Sequence, residues 1–158
     1  MRVRKAREED LNAIYMMGFD VWGNEYTEPD YLRACGDSAK YKKGTWYILE
    51  KNALPISSLI VYVKQFSLPE KCAGIGSVAT GQKYRKRGYG ALLITNVLAL
   101  LREQDIAAVY LFSDIAPHYY QQFGFELISG QQPYKDTQCM VLAFDSVDKL
   151  SDRIPEYF

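Results

Sequence analysis

The chain is poor in the residues that most often announce a site. Its single histidine, His118, has no partner in view to orient it and reads as a surface residue rather than a base. Cys35, Cys72 and Cys139 are odd in number, widely spaced and without a C-x-x-C pair. That pattern argues against a disulfide scaffold or a zinc site and for free thiols in a reducing compartment. Neither charge is in surplus, with 19 basic and 19 acidic side chains, so a global attraction to nucleic acid or to an anionic membrane is not indicated. The longest apolar run, Ala91 to Leu101, is interrupted by Thr95 and Asn96 and is too short to span a bilayer. The opening MRVRKAREED becomes charged where a signal peptide would turn apolar. No repeat, low-complexity block or linker interrupts the chain, so the expectation is one soluble, cytoplasmic domain over residues 1–158.

What is present is material for a core: 48% apolar residues, and 14% aromatic, the mix of a packed globule. Val3 and its flanks read as a first strand. Leu11, Ile14, Tyr15, Gly18, Phe19 and Trp22 then repeat at helical spacing. A second helix starts near Pro29 and stops at Gly36, and the lysine-rich stretch 37–44 reads as a loop. TWYILE (45–50) and ISSLIVYV (56–63) read as an antiparallel hairpin. Residues 75–80, a long helix to Leu101, and the apolar run 107–112 form a strand–helix–strand unit, hence a parallel pair with a right-handed crossover. A short helix over 115–123, strands at 125–128 and 138–144, and a weakly helical tail complete the order. The glycines Gly74 and Gly76 suggest a bulge or a place where a ligand runs alongside the strand.

The chain is organised around residues 74–101, GIGSVATGQKYRKRGYGALLITNVLALL. A strand that feeds a basic, glycine-containing turn opening a helix is suited to a pyrophosphate. Helix-terminal N–H groups point outward, the dipole favours negative charge, and glycine clears the approach. No Gly-Lys-Ser/Thr follows at Walker A spacing, and Leu93 stands where a Rossmann fingerprint needs its third glycine. Arg85-Lys86-Arg87-Gly88-Tyr89-Gly90 instead resembles the Q/R-x-x-G-x-G/A signature of the GCN5-related N-acetyltransferases (GNAT), and Tyr119 to Phe125 resembles that family's F-Y-x-x-x-G-F segment. The element order is also similar, over roughly residues 2–144. Gly81 and Gln82 stand where a proline commonly precedes the signature.

The resemblance implies an α/β (α+β mixed-sheet) fold, mostly antiparallel, with a splayed parallel β4/β5 pair flanked by helices. It implies acetyl-CoA as cosubstrate, no metal, a primary amine as acceptor, and a chain that is active alone or as a homodimer. Main-chain groups of Val78, Ala79 and Thr80 would meet the pantetheine and acetyl carbonyl, and Arg85, Lys86, Arg87, Gly88, Tyr89, Gly90 and Ala91 would hold the pyrophosphate. Tyr120 aligns with the general acid, although Tyr119 beside it, about 100° round a helix, competes for that place. For the base, Asp114 is the candidate, with helix N-capping as its alternative role; Glu25 and Glu28 follow. Trp22, Tyr26, Tyr31 and Trp46 either line an acceptor pocket or belong to the core. Cys72 has no histidine partner to support a covalent acetyl-enzyme. Two other classes remain: a non-catalytic acyl-CoA sensor of the same fold, and a nucleic-acid module using residues 83–87, which neutral net charge disfavours.

Overall fold

The computed structural model describes residues 1–129, 132–145 and 153–158. Its strands are β1 (Arg2–Lys5), β2 (Thr45–Lys51), β3 (Leu54–Val63), β4 (Cys72–Thr80), β5 (Ala108–Ser113), β6 (Glu126–Leu127) and β7 (Gln138–Ala143). Its helices are α1 (Leu11–Met17), α2 (Phe19–Trp22), α3 (Glu28–Asp37), α4 (Ala39–Lys42), α5 (Tyr89–Glu103) and α6 (His118–Gln121). The strands form one mixed sheet in the order β1-β2-β3-β4-β5-β7-β6, flanked by the helices. The β1–β2, β2–β3, β5–β7 and β6–β7 pairs are antiparallel, whereas β4 and β5 are parallel. The chain divides into two compact units, Met1–Val61 with Ser77–Val97, and Tyr62–Gly76 with Leu98–Phe158.

In the first unit, β2 and β3 turn over Asn52 and Ala53, both at positive φ (51° and 62°), the pattern of the two-residue turn whose twist suits a hairpin. Ile48, Leu49, Ile56, Leu59 and Ile60 are all buried, and because neighbours along a strand alternate, both faces of the hairpin are covered. The expected first helix breaks at Gly18. The Trp22 ring folds back so closely that a Cβ on Gly18 would lie 2.1 Å from it, and α2 restarts at Phe19. The expected loop over 37–44 holds a turn of helix, α4. The Ser38 hydroxyl accepts from the Tyr41 amide at 3.2 Å, and the Tyr41 ring stacks on Tyr15 and meets Trp46 edge-on. One half-buried aromatic anchor thus overrides a polar, lysine-rich sequence. At the start of the chain, the Arg4 guanidinium is gripped by the Asp10 and Glu50 carboxylates, at 2.7 and 2.8 Å.

In the second unit, β4 begins earlier than expected, at Cys72, and pairs in parallel with β5 from Cys72↔Ala108 to Ile75↔Leu111. Gly74 does not mark a ligand's path. The Phe158 ring lies against it, 2.5 Å from where a Cβ would stand, and that ring also packs on Tyr62, Phe66 and Phe112. The residues at 115–123 condense to the four-residue α6, and the strand at 125–128 to two residues. The expected helical tail falls mainly on residues outside those described.

The three cysteines are all buried. Burial pushes each thiol's pKa upward, to about 12 at Cys139. Among the described residues, no helix is long and apolar enough to cross a membrane, and no group of three or more His, Cys, Asp or Glu side chains is placed to hold a metal ion.

Candidate active site

The basic loop leaves β4 through Gly81, whose N–H donates to the Ile56 carbonyl at 2.9 Å. Proline, the residue common near this point in the resembled pattern, has no N–H to make that bond. Just upstream, the Ser57 hydroxyl donates to the Ala79 carbonyl at 3.0 Å and bonds the Thr80 hydroxyl at 2.9 Å. The irregularity in β4 lies at Ser77, a non-glycine at φ 47°, next to Gly76 where sequence suggested a bulge. The register with β5 runs as far as Ile75, and β4 itself continues to Thr80.

Within the loop, Lys86 (φ 61°) and Gly88 (φ 79°) are both left-handed, a conformation that in alternation with right-handed residues turns successive amides to one side. A Cβ on Gly88 would meet nothing within 4 Å, so glycine serves the backbone conformation there and the space beside it is open. The first helical amide to find a backbone acceptor is that of Leu92, on the Gly88 carbonyl at 3.0 Å. The amides of Gly88, Tyr89, Gly90 and Ala91 precede it and, among the described residues, find no backbone carbonyl, as is usual in the first turn of a helix. Lys86 and Arg87 are exposed, and the Lys83 ammonium lies over the Tyr84 ring, 5.2 Å from its centroid. The Tyr89 hydroxyl accepts from Lys51 Nζ at 3.0 Å, which lowers the phenol's pKa. Lys51 closes β2 at the hairpin turn, and nothing in its local sequence tied it to the loop.

Arg85 is engaged within the first unit. Its guanidinium holds Asp20 and two backbone carbonyls, those of Met17 and Thr80. The ion pair raises the Arg85 pKa and lowers that of Asp20. Beside this pair a cavity of about 440 Å³ is lined by Met16, Met17, Phe19, Asp20, Glu28 and Gly81, among others. Glu28, an alternative base in the sequence reading, therefore stands on a cavity wall, while Glu25 is exposed. Of the four candidate pocket aromatics, Tyr31 and Trp46 are core (6% and 8% exposed), whereas Trp22 and Tyr26 are open to solvent (46% and 50%).

The second unit carries the candidate acid. Tyr120 lies on α6 against Tyr119 and Phe125, its ring 5.0 and 6.2 Å from theirs. Burial, with the neighbouring charges of Tyr119 and Asp114 adding to it, pushes its phenol up to about 12. Burial also raises Tyr119. Asp114 is exposed just past the end of β5. It caps no helix, because α6 starts at His118 behind Pro117 and has no side-chain cap. His118 is exposed.

A sequence model of the acetyltransferase (GNAT) domain matches residues 2–128. Among solved structures, the ribosomal-protein-S18-alanine N-acetyltransferase from Escherichia coli is similar at TM-score 0.68 and 16% identity, over 92% of this chain and 95% of that one. A GNAT family acetyltransferase from Brucella melitensis, in complex with acetyl-CoA, is similar at TM-score 0.63 and 21% identity, over 91% and 88%. The paia N-acetyltransferase from Thermoplasma acidophilum, in complex with coenzyme A, is similar at 0.64 and 13%, over 90% and 98%. None of the curated proteins matches the chain significantly.

Proposed function

Because the chain belongs to the GNAT acetyltransferase family, we propose that it is an acetyl-CoA-dependent N-acetyltransferase, a single such domain acting on a primary amine by direct attack in a ternary complex. The acceptor is a small metabolite amine, a peptide N-terminus or a lysine. The observation that carries this reading is the loop before α5. Its left-handed Lys86 and Gly88, the acceptor-free amides of Gly88 to Ala91 and the exposed cations Lys86 and Arg87 together suit a diphosphate. Neighbours of the same fold in complex with acetyl-CoA or coenzyme A support it.

In this reading the main chain of Val78, Ala79 and Thr80 receives the pantetheine arm and polarises the thioester oxygen. Backbone donors aimed at a developing oxyanion are commonly the largest electrostatic contribution to acyl transfer. The amine nitrogen, deprotonated with the help of Asp114 or of water, forms the new C–N bond at the thioester carbon. The C–S bond then breaks and the departing sulfur takes a proton from Tyr120, which the amine's released proton replaces through solvent. A phenol whose pKa lies far above neutrality is fully protonated at the start of each turnover, the state a donor must have.

Release of coenzyme A by the wild type across a panel of amines tests the reading, with Tyr120→Phe as its companion. An active wild type and a crippled variant support the transferase. A wild type that binds acetyl-CoA yet turns over no amine leaves the sensor module.

A further inference from the structure

Arg85 opens the signature, yet its side chain is committed inside the first unit. Nη1 donates to Asp20 Oδ2 at 2.7 Å and Nη2 to Oδ1 at 2.8 Å, the two-pronged geometry that makes arginine–carboxylate pairs strong and directional. Nη2 also donates to the Met17 carbonyl at 3.2 Å, and Nε to the Thr80 carbonyl at 3.0 Å. Nε and Nη1 thus donate once each and Nη2 twice, which occupies four of the five N–H groups a guanidinium has. Met17 is the last residue of α1, Asp20 lies in α2, and Thr80 is the last residue of β4. To reach an anion at the loop, Arg85 would have to release a carboxylate and leave two main-chain carbonyls without this donor. Lys86 and Arg87 are both exposed, and among the described residues neither pairs with a carboxylate.

We propose that Arg85 is a positioning residue. It clamps the end of β4 to the α1–α2 joint, so that the backbone of residues 86–91 is presented to the diphosphate at a fixed angle. Asp20, 65 residues earlier, is the partner through which it acts. The inference rests on the reading of the loop as a coenzyme site and adds a dependence on a carboxylate that touches no coenzyme. A lysine cannot replace the arginine, since a single ammonium cannot span the carboxylate and both carbonyls in the planar fork that holds them.

The test is calorimetric titration of the full chain with coenzyme A at several ionic strengths, with circular dichroism to establish that each variant is folded. Arg85→Gln and Asp20→Asn are each expected to weaken binding on the order of tenfold. The double variant should be no weaker than the worse single, because both remove the same clamp. Arg85→Lys should not restore affinity, and Asp20→Glu should in part. Arg87→Gln, which removes a cation facing solvent, should flatten the salt dependence of the affinity, whereas Arg85→Gln should leave that slope as in the wild type. The proposal is overturned if Asp20→Asn binds like the wild type while Arg85→Gln flattens the slope, since Arg85 then touches the diphosphate itself. A wild type that binds neither coenzyme A nor inorganic pyrophosphate overturns the functional reading, and this one with it.

Discussion

Tyr120 and Gly88 are the residues on which the proposed chemistry bears most directly, and each makes a separable prediction. Tyr120 is raised to about 12 chiefly by burial, so its proton stays in place throughout the neutral range. Its ionisation therefore cannot produce an alkaline fall in rate near pH 8 or 9. Tyr120→Phe should lower kcat by about 10²–10⁴-fold, leave the coenzyme dissociation constant unchanged, and preserve the shape of the pH–rate profile below about pH 10; a steady-state profile of both proteins checks this. Gly88 is held at φ 79° with open space where a Cβ would go. Gly88→Ala should cost about 1–2 kcal/mol of stability from backbone strain alone and weaken coenzyme binding further as the methyl meets the ligand. Thermal melts with and without coenzyme A separate the two costs. Gly88 was legible as a glycine that a helix-opening turn requires. Lys86, in the same left-handed region, was not, because lysine carries no sequence signal for that conformation. Asp20 was equally hidden: one acidic residue on a helix, whose importance comes only from what folding brings to it.

At the scale of elements, sequence periodicity located the hairpin, the long helix and the parallel strand pair, because each needs a run of apolar side chains at its own spacing. It failed where one side-chain contact decided the outcome. α1 and α2 read as one helix until Trp22 folds onto Gly18. α4 read as loop until Tyr41 is seen stacked on Tyr15. In β4, Gly74 read as a bulge or a place where a ligand runs alongside the strand, and it proved to be the seat of Phe158. That contact gives a direct test: Gly74→Val must displace the ring and should cost about 1–3 kcal/mol, the usual penalty of overpacking, read as a lower urea midpoint. Adding Phe158→Ala to that variant should cost less than the same change in the wild type, since the two share one contact. The loop before α5 was legible as a basic, glycine-containing turn that opens a helix, because charge, glycine and helix start coincide within a few residues; the left-handed Lys86 and the partners of the Arg85 side chain escaped it.

For the molecule as a whole, stability should depend on pH through its carboxylates. The Asp10 carboxyl is held below its ordinary range first by the hydrogen bond from Arg4, and Glu50 is lowered by Arg4 and then Arg2. A group whose pKa is depressed on folding stabilises the native state above its unfolded value and loses that contribution as pH falls through the folded one. Urea midpoints should therefore hold level from pH 7 to about 5 and decline below about 4. Asp10→Asn, which breaks a largely buried pair, should cost about 2 kcal/mol at pH 7 and flatten the acidic decline. The family and the mixed sheet were readable from one signature and the order of elements; the acceptor was not, because the helices that precede β2 match no spacing that names a substrate. The buried thiols have a practical corollary. With Cys35, Cys72 and Cys139 all sheltered and held in the unreactive protonated form, the folded protein should consume almost none of an aromatic disulfide dye. Any yellow that develops during turnover then belongs to the product, and a rising blank becomes a direct readout of unfolding.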